Sequence, residues 1–78
     1  MARLCLFAQA RDCAGTGETG IDGATVGDVL DAAVGRYGTR LAAIIAISAI
    51  WLNGEPAGRE LPVGDGDEVA VLPPVSGG

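Results

Sequence analysis

Both ends of this chain carry the same two-residue hydrophobic alternation, and its middle does not. Leu4, Leu6 and Ala8 alternate with Arg3, Cys5 and Phe7, and Val69 and Val71 alternate with Ala70 and Leu72. Successive side chains of a strand point to opposite faces, so each end reads as a β-strand. Between them Val26, Val29, Leu30, Ala33, Val34 and Tyr37 recur at steps of three and four, which lines them along one side of a helix. With only 78 residues there is room for one small domain. First and last strands must therefore share one core with the helix, and the economical solution is an α+β domain in which a mixed sheet packs on one main helix.

The remaining segments fill in that outline. The first strand is expected over Arg3 to Ala8, followed by a turn or exposed loop from Gln9 to Gly17, where polar residues mix with two glycines. Glu18 to Asp22 reads as the returning arm of a hairpin. Thr25 is placed to cap the helix, with Asp28 and Asp31 near the positive end of its dipole and Arg36 near the other. Gly38 is the expected C-terminal stop. Gly27 and Gly35 each cost about 0.5 to 1 kcal/mol relative to Ala unless close approach to the sheet compensates. Thr39 to Ala46 makes a short second helix, and Ser48 to Leu52 a strand ending at the turn dipeptide Asn53-Gly54. Trp51 in that strand reads as core, with an interface as the other option. Pro56 and Pro62 keep the next stretch irregular or at an edge, and Gly64 to Asp67 is a tight turn. Glu68 to Leu72 is the final strand, which Pro73-Pro74 ends. The domain thus covers 1–74, and 75–78 form a flexible tail.

Composition narrows the chemistry. The five cations, all arginine, face ten carboxylates, a net charge of −5 that disfavours nucleic acid and anionic lipid as partners. Histidine is absent and cysteine limited to Cys5 and Cys13, too few for a Cys/His zinc site, so no metal is expected and both thiols are read as reduced. The apolar run Leu41 to Leu52 is too short for the roughly 20 residues of a membrane helix. No signal peptide is recognisable, and a cytoplasmic location is expected. Catalysis by the chain alone is not expected either. Ser76 has no His or Lys to activate it, and Asp65, Asp67 and Glu68 read as a solvated turn. One helix covers one face of a sheet, so Phe7 and Leu72 either lie under a loop or, with Ala70 beside them, form an apolar patch for another protein; the patch is the expectation, with Arg11 making an ion pair there or staying solvated.

The chain closes on Pro73-Pro74-Val75-Ser76-Gly77-Gly78. A proline pair favours an extended path, and terminal glycines lack side chains that would block a narrow channel. Phe7-Ala8 with Ala10-Arg11-Asp12 and Ala14-Gly15, Ala24-Thr25-Val26 with Leu30, Leu52-Asn53-Gly54-Glu55, and Asp65 to Ala70 running into Leu72 to Gly78 together resemble the small subunit of molybdopterin synthase. That family is MoaD-like, within the ThiS/MoaD superfamily of ubiquitin-like sulfur carriers. Asp12-Cys13 and the ring of Trp51 depart from its usual pattern.

The resemblance implies a β-grasp fold and a non-catalytic, sulfur-donating subunit. On that reading a separate adenylyltransferase uses ATP to join AMP to Gly78, and a sulfur donor system converts the adenylate to a thiocarboxylate. Pro74, Val75, Ser76 and Gly77 then carry Gly78 into the large subunit of the synthase, where sulfur passes to cyclic pyranopterin monophosphate to build the dithiolene. No cofactor is held stably; AMP and sulfur ride covalently on Gly78. A carrier for another pathway such as thiazole synthesis, a ubiquitin-like binding module and a protein modifier remain alternatives. The absence of lysine prevents side-chain polymers of the chain with itself.

Overall fold

Leu4, Leu6, Val69 and Val71 lie side by side at the centre of one sheet, each at most 1% exposed. A computed structural model of the chain describes residues 1–74. In chain order the elements are β1 (Ala2–Leu6), α1 (Ala8–Ala14), β2 (Glu18–Ile21), α2 (Val26–Tyr37), α3 (Thr39–Ala46), β3 (Ala49–Leu52), β4 (Glu55–Pro56) and β5 (Glu68–Leu72). The sheet order is β2-β1-β5-β3-β4. β1 and β5 pair in parallel, with Leu4 opposite Val69 and Leu6 opposite Val71, while the other pairings are antiparallel. This mixed sheet packed against helices has the β-grasp, ubiquitin-like topology expected from the sequence. The core combines the inner face of the sheet with Val26, Val29, Leu30 and Ala33 of α2 and Leu41 of α3.

Local chemistry explains the helix limits. The Thr25 side chain accepts the Asp28 backbone N–H at 3.1 Å, satisfying one of the otherwise unpaired donors at the start of α2. At the far end Gly38 takes φ +102°, donates its N–H to the Val34 carbonyl at 2.8 Å, and turns the chain directly into α3. Gly27 does gain from closeness, but to the loop after β4 and not to the sheet: a Cβ there would stand 3.2 Å from Arg59 atoms. Gly35 has open space around its Cα and no such compensation.

Three expectations need correction. The segment expected as a loop from Gln9 to Gly17 is mostly helix α1, which Gly15 ends in the left-handed region at φ +76°. Its polar and small residues are compatible with about two turns of helix that bury Ala10 alone, so no hydrophobic period announces it. Ala8 does not continue the inward face of β1; it is exposed and takes φ +49° where strand turns into helix. Trp51 is not core. The alternation in β3 turns Ile50 and Leu52 inward, leaving Trp51 37% exposed on the outer face.

The two turns quoted from the sequence prove to be one structure. Asn53, at φ +51°, donates its backbone N–H to the Glu68 carbonyl at 2.8 Å, and its side-chain oxygen accepts the Glu68 N–H at 2.9 Å. Its amide nitrogen donates to Asp67 Oδ1 at 3.1 Å, while Asp67 Oδ2 accepts the Gly64 N–H at 2.8 Å. The β3–β4 turn is thereby tied to the turn that launches β5. The Gly64 amide, and after it Asn53, hold the Asp67 carboxyl below its ordinary value of 3.8.

Two predictions follow from these contacts. Leu30→Ala is expected to cost about 2 to 5 kcal/mol in chemical denaturation, through lost burial and a residual cavity. For Asp67 the depressed value means that its contribution is complete above pH 3.8 and is lost as pH falls through the lower folded value. Asn53→Gly keeps the left-handed backbone but removes the amide, so carboxyl NMR titration should show Asp67 moving up toward its ordinary value. An unchanged titration would contradict the latch.

Candidate functional site

The helices cover one face of the sheet and leave the other open. Strand register fixes what that face presents. Ala70 lies opposite Cys5 on one side and Trp51 on the other, forming a row across the three central strands. One row toward the end of β5, Leu72 lies opposite Ala49. Phe7 completes this row from the end of β1: its N–H donates to the Val71 carbonyl at 3.2 Å, and its ring side is 48% exposed. In the other direction Arg3 lies opposite Glu68 and pairs with Glu18 at 3.1 Å. The face therefore grades from charged at the start of β5 to apolar at its end.

That apolar end is where the chain leaves the sheet. Because β1 and β5 are parallel, both finish at the same edge, placing Phe7 beside the last residues of β5. Pro73 is buried and Pro74 exposed. A proline has no N–H to extend a ladder, so the pair ends the strand at the margin of the open face. Val75, Ser76, Gly77 and Gly78 lie outside the described residues. Phe7, Ala70 and Leu72 thus share this face, Phe7 exposed and Ala70 and Leu72 half-buried. Arg11 is not part of that row. It sits one turn into α1, where its side chain passes alongside Gly17.

Three further residues complete the face, of which Ala49 is the one that the sequence did not single out. Cys5, Ala49 and Trp51 share the outer rows, and the alternation of Ala49 and Trp51 with Ile50 and Leu52 was the available signal. Cys5 is not a nucleophile on this surface. Burial first, then a hydrogen bond with Glu68, pushes its thiol up to about 11, so it stays protonated at neutral pH. Both cysteines are free thiols. Among the described residues no cluster of three or more Cys, Asp or Glu side chains is placed to hold a metal ion, and no helix is long and apolar enough to cross a membrane. What the site offers is an apolar platform beside Pro73-Pro74, where the last strand ends.

Comparison with known proteins adds the family. The ThiS family matches residues 4–78. Small archaeal modifier protein 1 of Haloferax volcanii is 39% identical over 94% of this chain and 95% of its own length. The crystal structure of that Haloferax protein superimposes with a TM-score of 0.83 at 36% identity, covering 99% of this chain and 98% of that one. The solution structure of small archaeal modifier protein 1 from Methanosarcina acetivorans gives a TM-score of 0.88 at 33% identity, over 99% and 95% of the two chains. In the Amycolatopsis orientalis BexX/CysO complex, one chain matches at a TM-score of 0.84 and 25% identity over the full length of both. The family match runs from residue 4 through Gly78, and the chain belongs to the ThiS family of ubiquitin-like sulfur carriers.

Proposed function

We propose that this chain is a ubiquitin-like modifier whose Gly78 carboxyl group is activated by a separate enzyme and joined to an amine of a target protein. The observation that carries this reading is its similarity, along nearly the whole chain, to small archaeal modifier protein 1 of two organisms. It displaces molybdopterin synthesis, expected from the tail motif, as the first reading.

The chemistry starts from the inertness of a carboxylate, whose leaving group would be oxide. A carboxylate oxygen of Gly78 attacks the α-phosphorus of ATP and expels pyrophosphate, giving an acyl-adenylate. A target lysine amine then attacks the acyl carbon, AMP leaves, and the amine gives up a proton. ATP is thus a substrate of the activating enzyme and not a cofactor of this chain. The chain's own contribution is presentation: Phe7, Ala70 and Leu72 give the activating enzyme an apolar footing beside Pro74, and the tail residues Val75, Ser76 and Gly77 carry the reacting carbon beyond it. With no lysine in the sequence, a target would receive single copies and not side-chain-linked polymers.

A second reading shares the adenylate. A persulfide sulfur attacks the same acyl carbon and expels AMP; a thiol then reduces the acyl disulfide to a thiocarboxylate. That species would donate sulfur in the large subunit of molybdopterin synthase. The segment Asp65 to Ala70 followed by Leu72 to Gly78 favours it, because it resembles that family's ending in detail.

An N-terminally tagged chain expressed in its own cells tests the first reading. Tagged conjugates carrying Gly78 in isopeptide linkage to lysine should appear, and vanish for a chain lacking Gly78. Deletion shifts the reacting carbon by about 3 Å, where a misplacement of about 1 Å can already cost on the order of 100-fold. Thermal unfolding should hardly change. Absence of conjugates from the intact chain, with sulfur delivered to the pyranopterin precursor by the purified proteins, would reverse the order of the two readings.

A further inference from the structure

The groove between α1 and α3 has no part in the reading above. It encloses about 440 Å³ and is lined by Cys13, Ile44 and Ile47 together with Gln9, Asp12 and Arg40. Its position is set by the strands. Ile47 closes α3 two residues before Ala49, whose partner across the sheet is Leu72, the last residue of β5. On the other side Gln9 follows closely on Phe7, whose N–H is bonded to the Val71 carbonyl. The groove therefore opens beside the point where the chain leaves the sheet, on the helix side, as Phe7 and Leu72 flank that point on the open face.

Its charges are also unspent. Arg3 pairs with Glu18, Arg59 with Asp31, and Arg36 donates to the Thr19 hydroxyl and the Gly20 carbonyl. Arg40 makes no ion pair or side-chain hydrogen bond among the described residues. Ile47, next to the exit, is 61% exposed, a large aliphatic group left in water at the groove's open end. An unpaired cation within reach of an exposed aliphatic surface is complementary to a carboxylate that neighbours an apolar side chain. Asp12, in the same groove, repels a second carboxylate and so orients such a segment with its acid toward Arg40.

We propose that the α1–α3 groove is a second docking surface for the enzyme that activates Gly78. It takes from that enzyme an aliphatic side chain against Ile44 and Ile47 and a neighbouring carboxylate against Arg40. The activating enzyme is the partner of choice because adenylation precedes both amide formation and sulfur transfer. An active site that closes around a narrow tail meets the surfaces on both sides of its base. This inference rests on the activation step proposed above.

The test is pyrophosphate exchange catalysed by the activating adenylyltransferase of the same cells, with the full-length chain as varied substrate. Ile47→Asp and Arg40→Glu alter exposed groups and should keep the native circular dichroism; Ala32→Asp, on the exposed side of α2, is the control. Each groove variant should raise KM by about fivefold or more with kcat retained, since the reacting end is intact, and the control should match the wild type. Wild-type KM for both groove variants, or a fall in kcat alone, overturns the docking surface and leaves the activation reading standing. No exchange with the wild-type chain overturns the activation reading, and the docking surface with it.

Discussion

The parallel pairing of β1 with β5 is the constraint on which the rest of the molecule depends. It joins the first and last strands at the centre of the sheet, so everything between must form a crossover that leaves the end of β1 and returns to the edge where β1 begins. Residues 7–67 do this with helices on one face only. Leu4, Leu6, Val69 and Val71 consequently meet α2 and α3, each burial worth about 1.5 to 3 kcal/mol relative to exposure. The same pairing leaves the opposite face without a helix and sets Phe7 beside the exit of the tail. Core and site are thus two sides of one pair of strands.

The hinge of this arrangement is the latch at the other end of β5. Asn53 and Asp67 tie the β3–β4 turn to the start of the last strand through side chain and backbone together. A register slip of β5 against β3 would break these bonds and turn Val69 and Val71 outward at once. The register decides which residues stand at the chain exit, so the turn chemistry of Asn53 and Asp67 acts on the position of Pro74 from the far end of the strand.

What was legible in the sequence follows from where a period could be read. β5, α2 and α3 came out within a residue or so of their limits because burial on one side imposes a period of two or of 3.6, and because Thr25, Gly38 and the proline pair punctuate them. α1 was missed because a helix of seven residues with Ala10 as its only buried side chain has no period to show. Trp51 reads as core with an interface as the other option, and the parity of β3 decides against the core, putting the ring outside with Ala49 and Cys5. That Phe7, Ala70 and Leu72 share the outward face was legible from the parity of the two end strands. The α1–α3 groove was not, because it exists only once α1 does.

On the proposed reading, function lies at an end that the fold presents but does not itself transform: the folded domain would supply position, an acidic surface and an apolar footing, and partners the chemistry. The most direct test is intact-mass measurement of the purified chain after incubation with its activating enzyme, ATP and a persulfide donor with a reducing thiol. The account predicts a species heavier than the starting chain by the adenylyl group; a further species heavier by the difference between sulfur and oxygen, with the sulfur donor present, is the product of the second reading. Any modification should map to Gly78. An unchanged mass under conditions where the enzyme is active, or modification at any other residue, would contradict it.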